Sequence, residues 1–270
     1  SAASDVYKRQ DLRSSDHAPL YEAALGEYLV LPIYVFEPDY WKQEDAAFRH
    51  WEFTKQSLEF LRADLSTLGQ ALVFRKGKIL EVFEDLRKEF TINAIYSHQE
   101  TGNAWTFERD KSVRYWGRVN GVKILEYQNN SIIRGLADRD KWATQRDKFM
   151  SKPIIEKPNI RPLEIDLAQI SVDIDFRGNS VKNNKQIGGS ENGWKYLESF
   201  FQGRGNNYRK DMSSPLLAEA ACSRISPYLA YGNLSVREVL RFVRDNFYKD
   251  KKNTFEKKIY FEKNNEPLFG

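Results

Sequence analysis

A chain of 270 residues, 41% of them hydrophobic, with a formal net charge of +4, has material for one large or two ordinary domains, and no apolar run in it approaches the ~18 residues of a membrane span. One cysteine, Cys222, excludes an internal disulfide framework and any multi-cysteine metal site. With 42 basic and 38 acidic residues interspersed, the charge is compatible with nucleic-acid binding without arguing for it, and a soluble, cytoplasmic protein is expected.

Residues 1–10 (Ser1-Ala2-Ala3-Ser4-Asp5-Val6-Tyr7-Lys8-Arg9-Gln10) hold too few apolar side chains for a doubly buried parallel strand. They are expected to be foreign or disordered; the alternative is a native polar arm, and neither is a signal peptide, since no apolar stretch follows the basic residues. From there to about residue 130 strands alternate with helices, the pattern of an α/β domain with a Rossmann-like parallel sheet covered on both faces. Residues 29–36 read as a buried strand closed by Glu37-Pro38. A helix follows over 48–68, with Trp51, Leu58, Leu61, Leu65 and Leu68 on its apolar stripe and Gly69 at its end. Then come a strand at 71–75, a helix at 78–90, a strand at 92–97, a helix at 107–119 and a strand at 122–127. Four strands are readable, and a missing one is expected at the centre of the sheet.

The α/β domain is assigned to residues 11–150 and an interdomain linker to 151–193, where Pro153, Pro158 and Pro162 break any helix and the Gly/Asn-rich stretch at 178–190 is polar. Gly193-Trp194 opens a helical region, 194–270, carrying Leu197, Phe200 and Phe201 and ending in the Lys-rich run Lys249-Asp250-Lys251-Lys252-Asn253. His17, His50 and His98 are too scattered in sequence to suggest a metal centre and read as loop or surface residues. The six tryptophans (Trp41, Trp51, Trp105, Trp116, Trp142, Trp194) read as helix-packing residues.

The stretch from Cys222 to Arg237, Cys-Ser-Arg-Ile-Ser-Pro-Tyr-Leu-Ala-Tyr-Gly-Asn-Leu-Ser-Val-Arg, is suited to gripping a phosphate. Ser223 and Ser226, three apart, would share a helix face near free backbone N–H groups, and Pro227 fits the first turn of a second helix. An ordinary amphipathic helix pair would read the same way. Cys222, among alanines, reads as a small buried hydrophobe rather than a reactive thiol.

This stretch resembles the flavin-pyrophosphate signature of the photolyase/cryptochrome family, Thr-Ser-x-Leu-Ser-Pro-x-Leu-x-x-Gly-x-x-Ser-x-Arg, with Cys222 for Thr and Ile225 for Leu. Further matches stand in the family's order: Asp11-Leu12-Arg13 with Asp16-His17; Glu100-Thr101-Gly102 with Trp105, Arg109-Asp110 and Val113; Tyr127-Gln128-Asn129-Asn130 with Ile133-Arg134; and Phe201 to Gly205 with Tyr208 ahead of the phosphate segment. The resemblance covers about residues 11–250 and implies an incomplete chain, an α/β domain plus the first helices of an all-α FAD-binding domain.

It implies FAD as cofactor, with Tyr208 near the flavin, Ser223 and Ser226 on its phosphates, and backbone groups of Cys222, Arg224 and Ile225 completing the cradle. It also implies light-driven repair of pyrimidine dimers by electron transfer from the excited reduced flavin, with damaged DNA as partner. Arg209 and Lys210 would face DNA phosphates, although Met212 stands where many members carry a basic contact. An antenna chromophore is compatible with the resemblance, but Trp105 and Thr106 stand where folate-binding relatives present an amide and a carboxylate. A cryptochrome photoreceptor without repair activity, and a short non-catalytic α/β protein, are the alternatives.

Overall fold

The computed structural model describes residues 2–7, 11–172 and 186–248; the expectations placed on residues 178–185 and 249–270 lie outside them. One parallel sheet of five strands runs in the order β3-β2-β1-β4-β5. Its strands are β1 (Ala2–Tyr7), β2 (Leu29–Phe36), β3 (Val73–Lys76), β4 (Thr91–His98) and β5 (Lys123–Tyr127). The helices that wrap it are α1 (Ala18–Leu25), the one-turn α2 (Pro38–Trp41), α3 (Phe48–Thr67), α4 (Ile79–Glu89), α5 (Ala104–Asn120) and α6 (Trp142–Met150).

β2 shows why the sheet must be covered twice. Its side chains alternate between faces, and both sets are apolar. Val30, Tyr34 and Phe36 enter a core with Leu20, Trp51, Leu58 and Leu65, on the side of α1 and α3. Leu31, Ile33 and Val35 enter the opposite core with Phe83, Leu86 and Trp116, on the side of α4 and α5. Each such side chain removed from water contributes roughly 1.5–3 kcal/mol.

The centre of the sheet corrects an expectation. Residues 2–7, too polar to read as a strand, provide it: Ala3 to Tyr7 pair with Leu29 to Ile33 on one side, and Ala2 to Tyr7 with the stretch from Thr91 to Ser97 on the other. Composition yields here to hydrogen bonding, since without β1 both β2 and β4 would present a buried, unpaired ladder edge.

The stretch from Ser151 to residue 172 carries no helix or strand, yet it is strapped to the domain. Ile160 and Ile170 are buried in the α1/α3 core and Leu163 in the opposite one. Backbone bonds run from Ile160 N to Leu68 O (2.7 Å) and from Phe74 N to Leu167 O (3.3 Å), and the Arg62 guanidinium donates to the carbonyls of Leu72, Leu167 and Ala168. Gly69, at φ 114°, permits this crossing: a Cβ there would stand 2.0 Å from Ile160 O.

After residue 185 the chain becomes helical: α7 (Ser190–Ser199), a π turn (Phe200–Arg204), α8 (Tyr208–Asp211), α9 (Ala218–Ala221), α10 (Ser226–Ala230) and α11 (Val236–Val243). This part docks on α3 through a third core of Phe53, Tyr228 and Leu234, with Trp194, Tyr196 and Ile225 against it. Trp41, Trp51 and Trp116 are core residues, whereas Trp142 is 38% exposed.

Candidate functional site

Ser223 and Ser226 do not share a helix face. Cys222 caps the C-terminus of the single-turn α9 with extended backbone, residues 223–225 are neither helix nor strand, and Ser226 begins α10 with Pro227 in its first turn. The physical reason is Arg224, whose φ of 63° lies in the left-handed region and breaks any helix there. Cys222 is half-buried rather than enclosed among alanines, since Ala220 and the preceding Leu216 and Leu217 are exposed.

Arg204, which lies within the Phe201-to-Gly205 match, organises this segment. Its guanidinium donates to the carbonyls of Tyr196 (2.9 Å), Ser223 (3.2 Å), Ala220 (3.3 Å) and Cys222, and Nε to Ser199 Oγ (3.2 Å). Burial pulls its pKa below the ordinary arginine value. From the other side Gln186 Nε2 donates to Arg224 O (2.6 Å), and the Arg224 side chain pairs with Glu219 (3.4 Å). Tyr208 stands edge-on to Phe200 at 5.8 Å, and Arg209 and Lys210 are exposed beside it on α8. Thus the structure joins Cys222, Ser223, Arg224, Ile225 and Ser226 in one turn, tied through Arg204 to the π turn that leads to Tyr208.

The second half of the motif grips the N-terminal turn. Leu12 N donates to Tyr231 O (3.1 Å), Asn233 Nδ2 to Leu12 O (3.2 Å), and Arg13 to Gly232 O (3.2 Å) and Asn129 Oδ1 (2.9 Å). Asp16 and Arg237 form a buried two-pronged ion pair, Arg237 lies 5.0 Å over the Phe149 ring, and Ser235 donates to the same carboxylate. The Asp-Leu-Arg opening and the Ser-x-Arg ending, separate matches in sequence, are therefore two halves of one clasp.

The histidines are corrected as well. His17, buried, and His98, part-buried, converge on Asp11 Oδ2, at 2.7 and 2.6 Å, with ring centroids 4.5 Å apart. Asp11, His17 and His98 each place a ligand-type atom within 4.8 Å of the others. His17 Nδ1, however, accepts from Leu20 N (3.1 Å) as the N-cap of α1, which puts the ring hydrogen on Nε2, facing Asp11. A metal ion at Nε2 would have to displace that hydrogen and would leave Nδ1 unable to cap the helix. Replacing His17 by alanine removes both bonds and is expected to cost about 2–4 kcal/mol. Asparagine retains a capping acceptor and is expected to cost about 1 kcal/mol less; equal losses in urea unfolding would show that the cap contributes nothing.

The matched residues Glu100, Arg109 and Asp110, with Arg134 of the next match, meet at the carboxyl ends of the strands. Arg109, buried, pairs with Glu37 (2.9 Å), Asp110 (2.8 Å) and Glu100 (3.8 Å). Arg134 continues the chain to Asp110 (2.8 Å) and Glu126 (3.1 Å). Trp105 lies against Tyr40 at 5.8 Å beside this network. This is the edge of a doubly wound sheet where ligands enter, and here closed ion pairs occupy it.

Comparison with known proteins identifies the fold and the family. The family described as DNA photolyase matches residues 6–140. The chain is 26% identical over 253 residues to Cryptochrome DASH of Idiomarina loihiensis, covering 87% of this chain and 55% of that protein. A cryptochrome structure from Synechocystis sp. PCC6803 superposes with a TM-score of 0.74 at 22% identity, over 97% of this chain and 59% of that one. An archaeal photolyase from Sulfolobus tokodaii, solved with two FAD molecules, gives 0.66 at 19% identity over 97% and 58%. The chain thus spans a little over half the length of these relatives. With half of its residues in the family match and the α/β sheet in place, the chain belongs to the DNA photolyase family.

Proposed function

We propose that this chain supplies the α/β domain and the FAD-phosphate turn of a protein that performs light-driven repair of pyrimidine dimers. The observation that carries the reading is the turn from Cys222 to Ser226. Its carbonyls are engaged by Arg204 and Gln186, and it offers two serine hydroxyls beside half-exposed backbone. Those donors fit an anion: Ser223, Ser226 and the backbone of Cys222, Arg224 and Ile225 would hold the phosphates, with Tyr208 nearer the flavin. When bound, FAD supplies the photochemistry, an electron delivered from its excited reduced form to a dimer flipped from the duplex. Arg209 and Lys210, both exposed, would meet DNA phosphates and orient the strand. An antenna chromophore in the α/β domain and a cytoplasmic location belong to the same reading. Among the described residues no helix is long and apolar enough to cross a membrane.

The cryptochrome photoreceptor is the second reading, favoured by the name of the Idiomarina relative. The two separate on light-dependent dimer repair by the complete protein: repair supports the first, and flavin photoreduction without repair supports the second. The chain spans 58% of the archaeal photolyase solved with FAD, so the purified 270-residue chain is expected to carry far less than one flavin per molecule. A yellow sample with saturable FAD binding would overturn that expectation.

A further inference from the structure

We infer that Arg204 is the positioning residue of the phosphate turn: by drawing the Cys222 and Ser223 carbonyls toward itself, it turns the N–H groups of Ser223 and Arg224 outward to face an anionic diphosphate. The inference rests on the flavin-phosphate reading of this turn and adds to it the element that sets the turn's shape.

The argument begins with peptide geometry. In a trans peptide the C=O of one residue and the N–H of the next point in opposite directions, and there are no cis bonds in the described chain. Arg204 engages Cys222 O and Ser223 O, so Ser223 N–H and Arg224 N–H face away from its guanidinium. Gln186 engages Arg224 O, so Ile225 N–H faces away from Gln186. Successive N–H groups around a residue in the left-handed region, here Arg224 at φ 63°, make an anion-binding concavity.

A second step concerns charge. Arg204 spends its donors on carbonyls of Tyr196, Ala220, Cys222 and Ser223 and on Ser199 Oγ, five bonds that a planar fork can make together and an ammonium cannot. It lies 5.7 Å from the Tyr196 ring centroid and 6.0 Å from that of Phe200, so its plane is packed as well as bonded. It therefore acts through the backbone rather than as a direct phosphate ligand. Gly203, at φ 166° and ψ −33°, interrupts regular helix geometry in the π turn immediately before it.

The test uses the 15N-labelled 270-residue chain and inorganic pyrophosphate, so that no loaded enzyme is needed. Saturable shifts of the Ser223, Arg224 and Ile225 amides are expected in the wild type. Arg204→Lys is expected to move those amides before any ligand is added and to weaken pyrophosphate at least about tenfold. In Arg204→Ala, millimolar guanidinium is expected to restore both the amide positions and part of the affinity, a rescue that general destabilisation would not show. If both variants keep the wild-type shifts and affinity, Arg204 does not position the turn and the inference falls while the phosphate site stands. If the amides move with Arg204 but pyrophosphate shifts nothing in the wild type, the anion reading of the turn falls, and with it the role assigned to Arg204.

Discussion

Asp16→Asn is expected to remove about 3–5 kcal/mol of folding stability at neutral pH, because it leaves the Arg237 guanidinium buried without its counter-charge. The carboxylate accepts from Arg237 Nε (3.0 Å) and Nη2, from Ser235 Oγ and from Ile155 N (3.2 Å), and both charged side chains are at most 6% exposed. Asparagine keeps the shape and some of the bonds but not the charge. The pair joins the N-terminal turn, the strap at Ile155, α6 through Phe149 and the start of α11, so its loss loosens four stretches at once. Buried pairs add little over apolar replacements of equal volume. Arg237→Met in the Asp16→Asn background is therefore expected to recover part of the loss. A cost below about 1 kcal/mol in urea unfolding would show that the clasp is not an energetic link between the two parts.

The same group predicts the acid limb of the stability curve. Burial pushes the Asp16 carboxyl upward, but hydrogen bonds from Ser235, Arg237 and Ile155 and the charge of Arg237 outweigh it and hold the pKa below the ordinary 3.8. A pKa lower in the folded than in the unfolded state means that folding favours the ionised form. The stabilisation is complete above the unfolded value and is lost as pH falls through the folded one. Wild-type stability should therefore fall below pH about 4 in a step that Asp16→Asn lacks.

The sheet was legible where strands are continuous apolar runs: the strand read at 29–36 is β2 to the residue, and the helix read at 48–68 ends within one residue of α3. β1 was not legible, because its place is set by the hydrogen-bonding demand of its neighbours rather than by its side chains. α1 was missed because histidine is an uncommon cap and the helix has eight residues. In the candidate site the residue types carried the signal and the conformation did not. A spacing of three places Ser223 and Ser226 on one face only if the chain between them is helical, and Arg224 is left-handed. Arg204 escaped notice because its partners are mostly carbonyls, which leave no trace in sequence. The Asp11, His17 and His98 cluster escaped because sequence distance says nothing about what a parallel sheet brings together; the signal that could have found it is that both Asp11 and His98 follow or end neighbouring strands.

Gly188→Ala is expected to undock the helical part while the α/β domain stays folded. A Cβ at Gly188 would stand 2.2 Å from Phe53 O, 2.4 Å from Ser57 Oγ and 2.9 Å from Ser57 N, and the first and last of these are backbone atoms of α3 that no rotamer change can move. Residues 186–189 would have to lift. That would cost the bonds from Gly188 N to Gln56 Oε1 (2.9 Å), from Gly189 N to Ser57 Oγ (3.1 Å) and from Tyr228 OH to Ile187 O (2.7 Å). Tyr228 is fully buried, and burial with the nearby Tyr196 pushes its hydroxyl pKa up to about 12, so it stays a neutral donor and needs its acceptor. Overpacking of about 1–3 kcal/mol and three lost bonds at about 1 kcal/mol each sum to at least about 4 kcal/mol. Hydrogen exchange should then show protection lost across α7 and α11 but kept in α3, β2 and β4, since the two sheet cores do not include residues of α7 or α11. The pyrophosphate response at the Ile225 amide should weaken with it, because Gln186, two residues away, would no longer reach Arg224 O, while Arg204 still holds the Cys222 and Ser223 carbonyls. Unchanged protection in α7 would show that the docking does not depend on this close approach.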